Sequence, residues 1–247
     1  MTKSENFITE ISESLSLVMP VYNEASLVEA AVKRCVEVLS RDFNDFEVIL
    51  VDDGSTDGTG EIMDKSAAND KRIRVLHNYI NLNIGISVPR GMMTATKDFV
   101  IWNSVDLPLA IEDIAGLMQY MKDCDVLVLE RKSYSGYTLW RWITSKINRL
   151  LLWIMFGLRD IRDMNFTFIC RRSVIPMLLP LSRSPVFAMP EMILRAKRTG
   201  LRVKLSDVDY HPRQTGKGAF GKPHDILWTM YDMFRFRLSA WRKLKTA

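Results

Sequence analysis

Met19-Pro20-Val21-Tyr22-Asn23-Glu24 and Val51-Asp52-Asp53-Gly54-Ser55-Thr56-Asp57 decide how this chain folds. Each follows an apolar run, 15–19 and 48–51, of the kind that makes a buried strand. Each leads into a helical pattern. Acidic and small residues therefore fall at the carboxyl ends of neighbouring strands, where open α/β sheets bind ligands. Either stretch alone also reads as a strand-to-helix turn, with Asn, Asp and Gly present for turn chemistry. The pair, about thirty residues apart in an alternating β/α pattern, favours a ligand site over two coincidental turns.

Working outward, 26–41 reads as a helix, with Ser26 and Glu29 forming a capping box and an apolar stripe of Leu27, Ala31, Val32, Cys35, Val36 and Leu39. The spacing predicts a second helix over 57–68, a short strand over 73–76, and a helix over 85–97 with Pro89 near its first turn. A strand at 99–102, a helix at 111–121 and a strand at 126–129 continue the series. Strand and helix alternate throughout, which predicts an α/β fold with a mostly parallel central sheet and helices on both faces. The pattern then changes. Residues 137–158 carry a helical apolar stripe with Trp140, Trp142 and Trp153 among Arg141, Lys146 and Arg149. Residues 223–245 repeat the theme with Leu227, Trp228, Tyr231, Phe234, Leu238 and Trp241 among Arg235, Arg237, Arg242, Lys243 and Lys245. Aromatic rings beside long cations suit a membrane interface. Such helices also pack on a sheet, on each other or across a dimer face, so both uses stand open.

The 247 residues, 47% of them hydrophobic, can bury a full core, and neither a repeat nor a low-complexity linker divides them. We expect a polar tail at 1–14, one domain over 15–222 and a basic amphipathic helix over 223–247. The net charge is +5 and the pI about 9.1. The excess crowds the second half, which suits an anionic partner: nucleotide, lipid phosphate, membrane surface or nucleic acid. Cys35, Cys124 and Cys170 are the only cysteines and lack metal spacing, which predicts buried free thiols in a reducing compartment. Residues 1–14 lack the pattern of a signal peptide, and no apolar run reaches the roughly 18 residues of a spanning helix. The expectation is a cytoplasmic protein, peripheral at the inner face of a membrane.

The two opening motifs resemble those of family 2 glycosyltransferases, which have a GT-A nucleotide-sugar fold. The resemblance implies that Pro20, Tyr22, Glu24 and Asp52, with Asp53 beside them, hold the base and ribose of a UDP- or GDP-sugar. In that family a metal sits on an Asp-x-Asp motif after the fourth strand. Here the matching stretch is Asn103-Ser104-Val105-Asp106-Leu107-Pro108: Ser104 replaces the first acid and Asp106 keeps the second. The implied cofactor is Mg2+ or Mn2+ on Asp106, held more weakly than by two carboxylates, with Ser104 beside the donor.

Later segments extend the likeness. Asn83-Ile84-Gly85 and Pro89-Arg90-Gly91 match the loop and helix before the motif strand. Glu130-Arg131 falls where the lipid-phosphate enzymes place an Arg. Residues 163–172 resemble a segment in which Thr167 replaces the usual Gly, and Glu191 resembles an acid on the helix that follows. His211-Pro212-Arg213-Gln214-Thr215-Gly216-Lys217 is similar to a loop that closes over the diphosphate. The match covers 15–217 and looks closest to the polyprenyl-phosphate sugar transferases of the dolichol-phosphate mannose synthase type. It implies inverting transfer to a polyprenyl (dolichyl or undecaprenyl) phosphate, with Asp106, Arg131, Arg213 and Lys217 stabilising charge. The acceptor is already anionic, so no strong base is needed.

Two alternatives stand beside this. One keeps fold and donor but uses a saccharide hydroxyl, with Glu191 as base. The other is a nucleotide-sugar-binding scaffold that lost catalysis, suggested by Ser104. A homodimer or an integral membrane partner is the other use for the two amphipathic helices. A nucleic-acid partner fits the pI and the aromatics but not the acidic strand ends. His77, His211 and His224 show no triad or metal pattern. His77 reads as packing or loop and His211 as at most a phosphate contact.

Overall fold

The chain forms, in a computed structural model that describes residues 12–133, 139–212 and 223–244, the alternation that its apolar runs predict. In order come β1 (Leu15–Val21), α1 (Val28–Asp42), β2 (Phe46–Asp52), α2 (Thr59–Asn69), β3 (Ile73–His77), α3 (Ile84–Met93), β4 (Phe99–Trp102), α4 (Ile111–Leu117), β5 (Val126–Arg131), α5 (Leu139–Phe156), β6 (Thr167–Arg171), α6 (Ile175–Leu178), α7 (Ala188–Arg198), β7 (Val203–Val208) and α8 (Pro223–Leu244). The seven strands form one sheet in the order β3-β2-β1-β4-β6-β5-β7. Only β6 runs against its neighbours, β4 and β5. The rest are parallel, so β1 to β5 and β7 all end at the same edge.

Both faces of the sheet are covered, which is why the central strands are continuous apolar runs rather than alternating ones. Successive side chains still point to opposite sides. Leu15, Leu17 and Met19 join α1 and α4 in one core, and Val18 joins α3, α7 and α8 in the other. The second face is packed to backbone distance: a Cβ on Gly91 of α3 would lie 2.4 Å from Val18 Cγ1 and 2.9 Å from Val51 Cγ2. The three cysteines are buried and free, and burial pushes the Cys35 thiol up to about 12.

Four expectations need correction. The Ser26–Glu29 capping box does not form: α1 starts at Val28 with no side-chain cap. The amides of Leu27 and Val28 turn instead to the Glu24 carbonyl. The helix expected over 85–97 stops at Met93, because the Thr94 amide and hydroxyl turn back to the Gly91 carbonyl and the Thr96 amide goes to Glu47 at 2.6 Å. The helix expected over 111–121 ends at Leu117 and tightens into a 3-10 turn over Met118–Asp123. Strands β6 and β7 were not anticipated. The first has only Phe168, Ile169 and Cys170 as an apolar run between a Thr and an Arg, and the second, at the sheet edge, has no buried position before Val208, so neither announces itself as a continuous apolar strand.

Helices α5 and α8 pack against each other. Leu152, Met233 and Phe236 point inward, and the rings of Phe156, Phe187 and Phe236 cluster with centroids 5.8–5.9 Å apart. Outward, α5 shows Leu139, Trp140, Trp142, Ile147 and Ile154, and α8 shows Leu227, Trp228, Tyr231 and Phe234. Among the described residues, no helix is long and apolar enough to cross a membrane.

Candidate active site at the strand ends

The loop after β1 and the loop after β2 are stitched together. Asn23 lies at φ 53, a conformation that Asn tolerates better than most residues. There its amide donates to Ser55 Oγ at 3.0 Å while its side-chain oxygen accepts from the Thr56 amide at 2.8 Å. The Glu24 amide donates to Thr59 Oγ1, and the Ala25 amide to Asp57. Asp57 also accepts from the Thr59 amide and hydroxyl, fastening the start of α2. Turn chemistry and a ligand site are thus not rival readings here. The turn residues build the rim on which Tyr22 stands, 44% exposed.

Asp52, the last residue of β2, is buried. Its Oδ1 accepts from the Ser55 amide at 2.9 Å and its Oδ2 lies 3.0 Å from His77 Nδ1. Burial works against ionisation of this carboxyl, but the hydrogen bonds from Ser55 and His77 outweigh it and hold the pKa below the usual value. Asp52 is therefore an anion poised at the strand end. Asp53 has a different position from the one expected. It is buried, and its Oδ1 accepts from the Asn78 side chain at 2.8 Å, the Ser87 hydroxyl at 2.8 Å and the Leu82 amide at 2.9 Å. It anchors the 78–82 loop over Gly54, whose φ is +76 and whose added Cβ would meet the Ile80 carbonyl carbon at 2.5 Å.

At the end of β4, the Asn103 amide continues the ladder to the Val18 carbonyl, and its side chain donates to the Leu109 carbonyl at 2.8 Å. Ser104 and Asp106 are half-buried. Among the described residues the Asp106 carboxylate and the Ser104 hydroxyl have no hydrogen-bond or ion-pair partner. This sets Asp106 apart from the other acids at this edge. Pro20, half-buried in β1, lies opposite Val51 in the register.

The ends of β5 and β6 are arranged otherwise. Arg131 is buried, with Nε 2.5 Å and Nη2 2.9 Å from the two oxygens of Asp163. Its guanidinium carbon lies 5.1 Å from the Phe166 ring and 5.2 Å from the Tyr210 ring. Glu130 accepts from the backbone and side chain of Arg162, which also pairs with Asp207. A carboxylate thus engages Nε and Nη2 of Arg131, the residue expected to face a phosphate. Thr167, where the resemblance expects Gly, donates its hydroxyl to the Trp102 carbonyl at 2.5 Å and ties β6 to the end of β4.

Glu191 is also not the base considered above. It is fully buried, and its carboxylate accepts from the Leu181 and Ser182 amides, the Ser182 hydroxyl and Arg195. Arg213 and Lys217 lie outside the described residues, and the His211 amide meets the Pro108 carbonyl at 3.0 Å. The residue that the sequence reading missed is His77, which bridges Asp52 and Asp64. A cavity of about 310 Å³ opens at the opposite edge of the sheet, between the start of β4 and the end of β6, a strand's length from these groups.

Among the described residues, no group of three His, Cys, Asp or Glu side chains is placed to hold a metal. Mg2+ is commonly bound by one or two carboxylates together with substrate phosphates and water. Asp106 fits that shared mode and does not fit a protein-only cage.

The profile of Glycosyl transferase family 2 matches residues 16–176, more than half of the chain. The "Glycosyltransferase AglD" of Haloferax volcanii is 28% identical over 222 residues, 83% of this chain and 34% of its own. An "Undecaprenyl-phosphate 4-deoxy-4-formamido-L-arabinose transferase" of Pectobacterium atrosepticum is 28% identical over 57% of this chain and 43% of its own. The chain thus spans less than half the length of these relatives. Mannosyl-3-phosphoglycerate synthase from Rubrobacter xylanophilus superposes with a TM-score of 0.66 at 18% identity, over 95% of this chain and 76% of that one. Glucosyl-3-phosphoglycerate synthase from Mycobacterium tuberculosis, in complex with Mn2+, uridine diphosphate and phosphoglyceric acid, does so at 0.65 and 19%, over 91% and 78%. These structural likenesses carry the fold, a GT-A-like sheet flanked by helices.

Proposed function

This chain belongs to glycosyl transferase family 2, and we propose that it moves a sugar, with inversion, from a nucleotide-diphosphate sugar to a polyprenyl phosphate. One observation carries the donor half of this reading. The ends of β1, β2 and β4 bring Tyr22, the ionised Asp52 and Asp106, which has no partner among the described residues, to one edge, and the loops after β1 and β2 hold each other in place.

In this reading Tyr22, Glu24 and Asp52 orient the base and ribose, and Pro20 shapes the strand end beneath them. Ser104 and Asp106 face the diphosphate. Asp106 would hold a divalent cation jointly with the diphosphate oxygens, and that cation, when bound, would neutralise charge on the leaving group. The acceptor phosphate oxygen forms the bond to the sugar C1 from the side opposite the diphosphate, as the C1–oxygen bond to the diphosphate breaks. No proton has to be removed, which agrees with the lack of an uncommitted base on α7. Arg213 and Lys217 are the cations assigned to the departing diphosphate. Arg131 supports the acceptor side through its pairing with Asp163.

The lipid acceptor is supported by the undecaprenyl-phosphate transferases among the relatives and by the outer faces of α5 and α8. On α5 Lys146 lies 5.3 Å from the Trp142 ring, and Arg159, just past the helix, lies 4.7 Å from that of Trp153. Rings and cations in this arrangement suit an anionic membrane surface, and in this reading the protein works at the inner face. A transfer assay tests the whole reading: UDP- and GDP-sugars offered with undecaprenyl phosphate or with oligosaccharides, with and without magnesium. Product on the lipid phosphate is the expected result. Product only on a saccharide moves the acceptor class, and tight nucleotide binding without turnover makes the chain a scaffold. Flotation on anionic vesicles should fall with added salt and with Trp140→Ser.

A further inference from the structure

His77 stands at the end of β3, opposite Asp52 in the parallel register. Its Nδ1 lies 3.0 Å from Asp52 Oδ2 and its Nε2 lies 3.0 Å from Asp64 Oδ1, on α2. A carboxylate at hydrogen-bond distance from each ring nitrogen needs an N–H at each. Neutral imidazole has one; only the imidazolium has two. With a neutral ring, one nitrogen would turn a lone pair against a carboxylate oxygen. The geometry therefore selects the cation. The remaining charged groups nearby do not reverse this. Arg90 of α3 points at the His77 carbonyl, 2.7 Å away, and at the Asn78 side-chain oxygen. Asp53 is committed to the 78–87 segment. The hydrogen bond to Asp52, with that to Asp64, raises the His77 pKa above its ordinary value against the opposing effect of burial. The side chain is 45% exposed, so it exchanges protons with solvent.

Asp52 is thus held from two sides. The Ser55 amide grips one oxygen at any pH, and the imidazolium grips the other only while it is charged. We propose that His77 is a positioning residue that orients Asp52 for the donor nucleotide and makes donor affinity depend on its own proton, which Asp64 retains. This rests on the reading of Asp52 as a nucleotide contact. The sign follows from the raised pKa: the double bridge is complete below the ordinary histidine value and is lost as pH rises through the elevated one.

Calorimetry with UDP and with GDP over pH 6 to 9 tests this on the full chain. Wild-type affinity should fall by roughly three- to tenfold through one inflection above about pH 6.5. The nucleotide's own phosphate titrates in the same range, so the variants are read as differences from the wild type. Asp64→Asn removes one anion from the far side of the ring and should move the inflection to lower pH. His77→Asn keeps a neutral donor toward Asp52 and should bind with that inflection gone. His77→Leu should bind weakly at every pH. Asp64 is a surface side chain, so Asp64→Asn carries the test even where a His77 variant folds poorly. An inflection that survives in His77→Asn, or that stays in place in Asp64→Asn, would overturn the proposal. Unchanged nucleotide affinity in folded Asp52→Ala would instead overturn the donor-site reading beneath it.

Discussion

The carboxyl ends of β1, β2 and β4 and those of β5 and β7 lie along one edge of one sheet, yet they use charge in opposite ways. On the first side, side chains and backbone amides brace the loops, and Asp106 is left uncommitted. On the second side, Arg131 with Asp163 and Glu130 with Arg162 close on each other. The physical difference is water. Arg131 and Asp163 are both buried, and an unpaired buried charge is costly, so the fold supplies each with a counter-ion. Asp106 keeps contact with solvent and can wait for a ligand. The lesson is that acids and cations at strand ends of one sheet serve different ends: Asp52 is braced by Ser55 and His77, Arg131 is closed on Asp163, and Asp106 has no partner among the described residues.

The largest effect that would break this contrast is on stability. Asp163→Asn should take the carboxylate from the buried Arg131 and destabilise the fold by about 3–5 kcal/mol, read by urea unfolding. If Arg131 were instead a free phosphate ligand, Asp163→Asn would leave the unfolding midpoint in place. Next comes Gly54→Ala, on the donor side. A positive φ and overlap with the Ile80 backbone should together cost about 2–4 kcal/mol and push the 78–82 loop off Asp53. Thermal unfolding measures the first part and nucleotide calorimetry the second. Asp52→Ala should weaken UDP or GDP binding by about 1–3 kcal/mol, the scale of a hydrogen bond to a charged group, measured under conditions where unfolding shows the variant still folded. The smallest effect sharpens the comparison rather than breaking it. Ser104→Asp gives the uncommitted Asp106 a second acid beside it, and the magnesium needed for half-maximal transfer should fall severalfold. No change in that requirement would mean that the metal does not sit there.

Much of the donor side was legible in the sequence. The runs ending at Val21 and Asp52 are apolar because both faces of the sheet are covered, and the residues after them are turn formers because the chain must leave the sheet at once. These are local demands, written within a few residues of where they act. The second half was read less well because its signals are not local. Strand β6 is short and runs against its neighbours, so nothing in its composition announces that it separates β4 from β5. The capping box failed because the helix starts two residues later than its signature suggests: the Leu27 and Val28 amides close on the Glu24 carbonyl, while the neighbouring Ala25 amide is drawn to Asp57 of the next loop.

By itself, then, the sequence determined the alternating sheet, its central strands and the edge on which a ligand site lies, since hydrophobic period and turn chemistry act over short spans. Only the tertiary structure decided which charged groups are committed. Arg131 meets Asp163 across 32 positions of chain and His77 meets Asp52 across 25. Those encounters depend on strand order and register, and a pairing set by register is invisible until the strands are laid side by side.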